Sequence, residues 1–161
     1  MPTDLLTSKL FIPPLRASLV PRPRLIQLLN EGLYSKRKMT MVSAPAGFGK
    51  TTLVVAWLEQ TNIPAAWLSL DEADSDLLRF LAYLAAAFQQ VDEEIGTPLV
   101  SALQSPQLSA IEQVLTAVLN EIALRTDLLI LVLDDYHLLA EAAILELMDR
   151  SEEHTSELQS R

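Results

Sequence analysis

Lys50, Thr51 and Thr52 follow directly on two closely spaced glycines, Gly47 and Gly49. A cation, two hydroxyls and two residues without a Cβ, all within six positions, suit the capture of a phosphate. Glycine lets the backbone bend so that successive N–H groups point into one concavity. Residues 39–44 before the loop read as a short buried strand. A helix opening at Lys50 would add unpaired N–H groups and the positive end of its dipole. The spacing is that of the Gly-x-x-x-x-Gly-Lys-Ser/Thr loop, with Ala44 where the first glycine is expected. In such a loop Ala46, Gly47, Phe48, Gly49, Lys50, Thr51 and Thr52 surround the phosphates of a nucleotide. Lys50 reaches the β- and γ-phosphates, and the Thr51 hydroxyl ligates Mg²⁺. The competing reading is an ordinary strand-to-helix turn.

A second chemical cluster lies far downstream. Leu128-Leu129-Ile130-Leu131-Val132-Leu133 is a continuous apolar run ending in Asp134-Asp135-Tyr136-His137. Such a run marks a strand buried on both faces of a parallel sheet. Its C-terminal end is the edge at which α/β proteins bind ligands. Asp134 is expected to hold Mg²⁺, directly or through water, opposite Thr51. Asp135 is placed to orient or deprotonate an attacking water, which makes Lys50 and Asp135 the expected catalytic pair. His137 reads as a structural residue at the strand end.

The elements that must position these groups alternate. Residues 1–21 are irregular, because Pro2, Pro13, Pro14, Pro21 and Pro23 forbid a continuous helix. Residues 24–33 carry leucines at helical spacing, and Gly32 marks where that helix stops. A helix over 50–60 follows the loop. Residues 65–70 form a second strand with Trp67 in the core, and Asp71-Glu72-Ala73-Asp74 lies at its end. Residues 75–91 form an amphipathic helix capped by Asp74 or Ser75. Gly96-Thr97-Pro98 and Pro106 interrupt the chain. Ser109-Ala110-Ile111-Glu112 is a capping box for a helix reaching Ile122, and a last helix covers 138–148. Alternating strands and helices mean α/β with a parallel sheet.

Composition narrows the function classes. The chain has 161 residues, half of them hydrophobic, with a mean hydropathy of +0.24, enough to bury a core. It has no cysteine, which excludes disulfides and thiolate metal sites. No apolar run has the length of a membrane span and no signal peptide is visible, so a cytoplasmic protein without membrane contact is expected. The net charge of −9 is uneven: residues 1–50 hold eight Lys/Arg against two Asp/Glu. The acidic remainder argues against nucleic-acid binding by this segment itself.

Five blocks occur in a recognisable order: Leu10-Phe11-Ile12-Pro13-Pro14, Val20-Pro21-Arg22-Pro23-Arg24-Leu25, the loop from Ser43 to Thr52, Trp67-Leu68-Ser69-Leu70-Asp71, and Leu133-Asp134-Asp135-Tyr136-His137. Up to about residue 140 the chain resembles the N-terminal P-loop ATPase domain of MalT-like, large LuxR-type bacterial transcription activators of the STAND class. The resemblance implies ATP with Mg²⁺ as ligand, slow hydrolysis, and an ATP- and inducer-dependent switch to a self-associating state. It implies that the inducer is read by a helical-repeat sensor domain and DNA by a C-terminal helix-turn-helix domain, neither of which is in this sequence. It also places Val20 and Arg22 near the adenine and ribose.

The expected organisation is thus an N-terminal segment and helix over 1–38, a partial P-loop NTPase core over 39–149, and residues 150–161 as a tail similar to a translated sequencing adapter. The resemblance further implies a later strand between the loop strand and the Asp134 strand. With the C-terminal strands missing, the domain is incomplete, and poor stability and no useful ATP turnover are expected. A stand-alone P-loop enzyme, such as a small-molecule kinase, and a non-enzymatic helical module are the alternatives.

Overall fold

The computed structural model describes residues 5–15, 20–35, 39–104 and 127–138, together with 113, 116–118, 120 and 122. The expected tail over 150–161, the last helix beyond Leu138 and the capping box at Ser109–Glu112 lie outside the described residues. The chain divides into two compact units. One comprises Ile12–Ile63; the other joins Met1–Phe11 to Pro64–Arg161.

In the unit of residues 12–63, helix α1 spans Pro23–Tyr34 and helix α2 spans Lys50–Leu58. Pro23 takes the first helical position, where its missing N–H costs nothing and its fixed φ suits the helix. Gly32 does not end α1 as expected. It lies within the last turn, buried, where a Cβ would come 2.9 Å from the Thr40 hydroxyl oxygen. The indole N–H of Trp57 on α2 donates to the Asn30 side-chain oxygen on α1 at 2.8 Å, so a buried polar group is satisfied where the two helices meet. Residues 39–44 are not the buried strand expected. They have no strand assignment, and Met39 and Met41 are exposed. A strand exists only through a ladder partner, and no described strand pairs with this segment.

The other unit has the expected parallel α/β pairing. Strand β1 spans Ala65–Ser69, strand β2 spans Ile130–Asp134, and they run parallel with Ala65 beside Ile130 and Ser69 beside Asp134. Trp67 and Leu68 are fully buried, as expected of a core strand. β2 is only partly buried beyond Ile130, against the expectation of two covered faces, because the described sheet has just these two strands.

Helices α3, Leu77–Val91, and α4, Glu93–Leu103, pack against each other as a hairpin, and α3 packs on β1. Asp76, not Asp74 or Ser75, caps α3: its carboxylate accepts from the Arg79 N–H at 2.9 Å. Asp92 ends α3 and starts α4. Its N–H donates to the Phe88 carbonyl at 2.7 Å, and its side chain accepts from the Glu94 N–H at 2.9 Å. Gly96-Thr97-Pro98 does not interrupt the chain; it lies inside α4. A Cβ on Gly96 would come 2.7 Å from the Ala85 carbonyl oxygen and 2.6 Å from the Gln89 backbone nitrogen. Here glycine serves close helix contact, not a turn. The described residues 113, 116–118, 120 and 122 are helical, in line with the helix expected there.

The N-terminal segment is not wholly irregular. Thr7–Leu10 forms a 3₁₀ turn that carries Lys9 into a buried ionic cluster. The Asp74 side chain is fully shielded from water. It accepts from Lys9 Nζ at 2.5 Å, from Arg79 Nε at 3.0 Å and from the Asp71 N–H at 2.9 Å. Lys9 Nζ also lies 2.7 Å from the Asp71 carboxylate and 4.7 Å from the centre of the Tyr83 ring. The Tyr83 hydroxyl accepts from the Leu6 N–H at 3.1 Å. Burial pulls the Lys9 pKa down, but its bonds to Asp71 and Asp74 outweigh that and hold it above the ordinary value. The Lys9 bond, against some opposition from burial, holds Asp71 below the ordinary value.

Removing one partner of a buried ion pair strands the other, so Lys9→Met should cost about 3 kcal/mol in urea denaturation. The sign with pH follows from the two shifts. The Asp71 pKa is depressed, so its contribution is complete above 3.8 and fades as pH falls through the folded value. The Lys9 pKa is raised, so its contribution is complete below 10.5 and fades as pH rises through the folded value. The stability difference between wild type and Lys9→Met should therefore stay level between these limits and shrink outside them.

Candidate phosphate-binding site

The loop before α2 has the backbone its sequence calls for. Gly47 and Gly49 have φ of 81° and 77°, in the left-handed region. Phe48 N–H donates back to the Pro45 carbonyl at 3.4 Å, closing a tight turn. A Cβ on Gly47 would meet nothing within 4 Å. The requirement for glycine there is conformational, since the space is open. Gly49 caps α2 through its backbone, its carbonyl accepting the Leu53 N–H at 2.9 Å. No side chain caps the N-terminus of α2, and residues 43–48 are exposed. The first N–H groups of a helix have no intrahelical acceptor and favour an anion.

Lys50 bends back over the loop it closes. Its Nζ donates to the carbonyls of Ala44 at 2.8 Å and Pro45 at 3.3 Å. Neutral carbonyls are weaker partners for an ammonium than phosphate oxygens, whose bonds are charge-assisted. Thr51 and Thr52 lie in the first turn of α2, partly buried. Arg22 reaches the loop as well, its Nη1 donating to the Phe48 carbonyl at 3.0 Å. Val20 is exposed. Lys50, Thr51, Arg22 and the glycines thus belong to one unit, whose exposed turn before a helix N-terminus suits an anion.

Asp134 and Asp135 belong to the other unit. The parallel register sets Asp134 at the C-terminal end of β2 beside Ser69, and its carbonyl accepts the Leu70 N–H at 3.0 Å. Its carboxylate accepts from the Asp135 N–H at 3.2 Å. Asp135 has φ of 58°, a left-handed conformation that Asp tolerates better than most residues. Its carbonyl accepts the Leu138 N–H at 2.9 Å in the 3₁₀ turn Tyr136–Leu138. His137 is exposed in that turn. No cluster of three or more His, Cys, Asp or Glu suited to a metal occurs among the described residues. None of their helices is long and apolar enough to cross a membrane.

The ionic cluster around Asp74 was not read from the sequence. Lys9 and Asp74 are 65 positions apart. The available signal was Arg79, the one charged residue of α3, five residues after Asp74.

Comparison with known proteins adds relatives. Over 145 residues the chain is 34% identical to the HTH-type transcriptional regulator MalT of Yersinia pestis, covering 89% of this chain and 16% of that protein. Over 128 residues it is 32% identical to the serine/threonine-protein kinase PknK of Mycobacterium tuberculosis, covering 78% of this chain and 11% of that protein. The chain therefore spans less than a fifth of the length of either relative. No family model matches it. The likeness to MalT is consistent with a P-loop NTPase fold, in keeping with the observed α/β class.

At a left-handed position an alanine costs about 1–2 kcal/mol, whereas asparagine is better tolerated. Since the space at Gly47 is open, Gly47→Ala should lower stability by about that amount and Gly47→Asn by less. Urea denaturation of the two variants checks the order.

Proposed function

We propose that this chain is the ATP-binding switch segment of a longer, MalT-like transcription regulator of the LuxR type and STAND class. The observation that carries the reading is the loop: two left-handed glycines deliver Lys50 and Thr51 to the start of α2. The likeness to MalT over 89% of the chain supports it.

In this reading the N–H groups of Ala46 to Thr52 cradle the phosphates, and Lys50 leaves the carbonyls of Ala44 and Pro45 for phosphate oxygens. Each unit offers one candidate Mg²⁺ ligand, Thr51 and Asp134, and the ion when bound would neutralise phosphate charge. Asp135 orients water for slow hydrolysis. By the resemblance Val20 lies near the adenine and ribose, and Arg22 bonds to the loop at the Phe48 carbonyl. The segment works in the cytoplasm, and DNA, inducer and self-association are matters for the longer protein. The 1–38, 39–149 and 150–161 divisions belong to the same proposal: a segment beside the nucleotide, a partial core and a foreign tail.

The chain spans 11% of the mycobacterial relative, so the kinase activity in that protein's name is not carried over to this segment. One observation weighs against a small-molecule kinase. A small-molecule kinase needs cations to clamp a second substrate. Between Thr52 and the tail only Arg79 and Arg125 occur, and Arg79 is bound to Asp74.

The test is binding of a fluorescent ATP analogue with Mg²⁺ to the full chain. Losing one charge-assisted hydrogen bond should make Lys50→Ala bind about 10- to 100-fold more weakly. Equal affinity in both chains, or binding by neither, would overturn the reading.

A further inference from the structure

Arg22 does more at the loop than supply charge. Its Nη1 donates to the Phe48 carbonyl at 3.0 Å, and a Cβ on Gly49 would lie 3.7 Å from its Nη2. The guanidinium therefore lies along the peptide joining Phe48 to Gly49. A trans peptide is planar, with its C=O and N–H on opposite edges. Whatever holds the Phe48 carbonyl also fixes the direction of the Gly49 N–H. That N–H sits at the cap of α2, among the groups without an intrahelical acceptor. Glycine, at φ 77°, is the residue least able to hold its own conformation. An outside restraint on this peptide thus has a large effect.

Arg22 is well placed to be that restraint. It is the cap residue of α1, where its carbonyl accepts the N–H groups of Leu25 and Ile26 at 3.0 and 3.1 Å. Pro23 fixes the next φ. The side chain springs from a defined helix start.

We propose that Arg22 is a positioning residue of the phosphate loop, which aims the Gly49 N–H at a phosphate oxygen by holding the Phe48 carbonyl. The proposal rests on the phosphate-loop reading above. It differs from a contact with adenine or ribose, which would make Arg22 a nucleoside-binding residue.

Two measurements on the full chain test it. The first needs no nucleotide: in Arg22→Ala the Gly49 amide resonance should move. An unmoved Gly49 amide resonance would overturn the proposal. The second compares Mg²⁺-ATP with inorganic tripolyphosphate. Arg22→Ala should weaken both by the same factor, about three- to tenfold for one modest hydrogen bond, at low and high salt alike. A loss confined to ATP would assign Arg22 to the nucleoside, and a loss that vanishes in high salt would assign it to simple charge attraction; either overturns the proposal. If neither wild type nor Lys50→Ala binds either ligand, the phosphate-loop reading fails, while the Gly49 amide still decides whether Arg22 sets that peptide.

Discussion

A carboxylate cut off from water has to find its hydrogen bonds within the protein. Asp74 does so from three directions: the N-terminal turn through Lys9, the start of α3 through Arg79, and its own loop through the Asp71 N–H. These bonds fix the chain just after β1 ends. From there the Leu70 N–H reaches the Asp134 carbonyl, and the parallel register follows. The end of β2, with its two aspartates, is therefore held through a cluster that contains no candidate ligand-binding residue.

The loop of the other unit rests on a different constraint. Its shape comes from two backbone conformations and from carbonyls shared with cations. Lys50 lies on Ala44 and Pro45, and Arg22 on Phe48. The first pair of bonds is exchangeable for an anion, because Lys50 then gains charge-assisted partners. The Arg22 bond faces the loop peptide and is compatible with an anion at the N–H groups. One cation is therefore placed to change partners while the other keeps the frame.

Much of this was legible in the sequence where the signal was local. The glycine spacing gave the loop, leucine periodicity gave α1 and α3, and the bounded apolar run gave β2 to within two residues. Trp67 belonged to the core, as its strand implied. The readings that failed depended on partners. Residues 39–44 have the composition of a strand, but strand structure is a property of pairs. Gly96 and Pro98 look like a break, yet both lie inside α4, where Gly96 lets that helix approach the α3 backbone. Lys9 carries no signal in the sequence, because its partner Asp74 lies 65 positions away. The roles of Thr51, Asp134 and Asp135 toward Mg²⁺ and water rest on motif and likeness.

The seat of Lys9 gives the protein a chemical marker of its own state. An amine that is buried, paired with two carboxylates and held protonated is a poor nucleophile. Acylating reagents that mark ordinary lysines would pass over it while the N-terminal turn is in place. Once the turn leaves its seat, the same amine becomes an ordinary reactive lysine. Labelling at this position, read by mass spectrometry against the more accessible Lys50, therefore reports the docking of the N-terminal turn without any added probe.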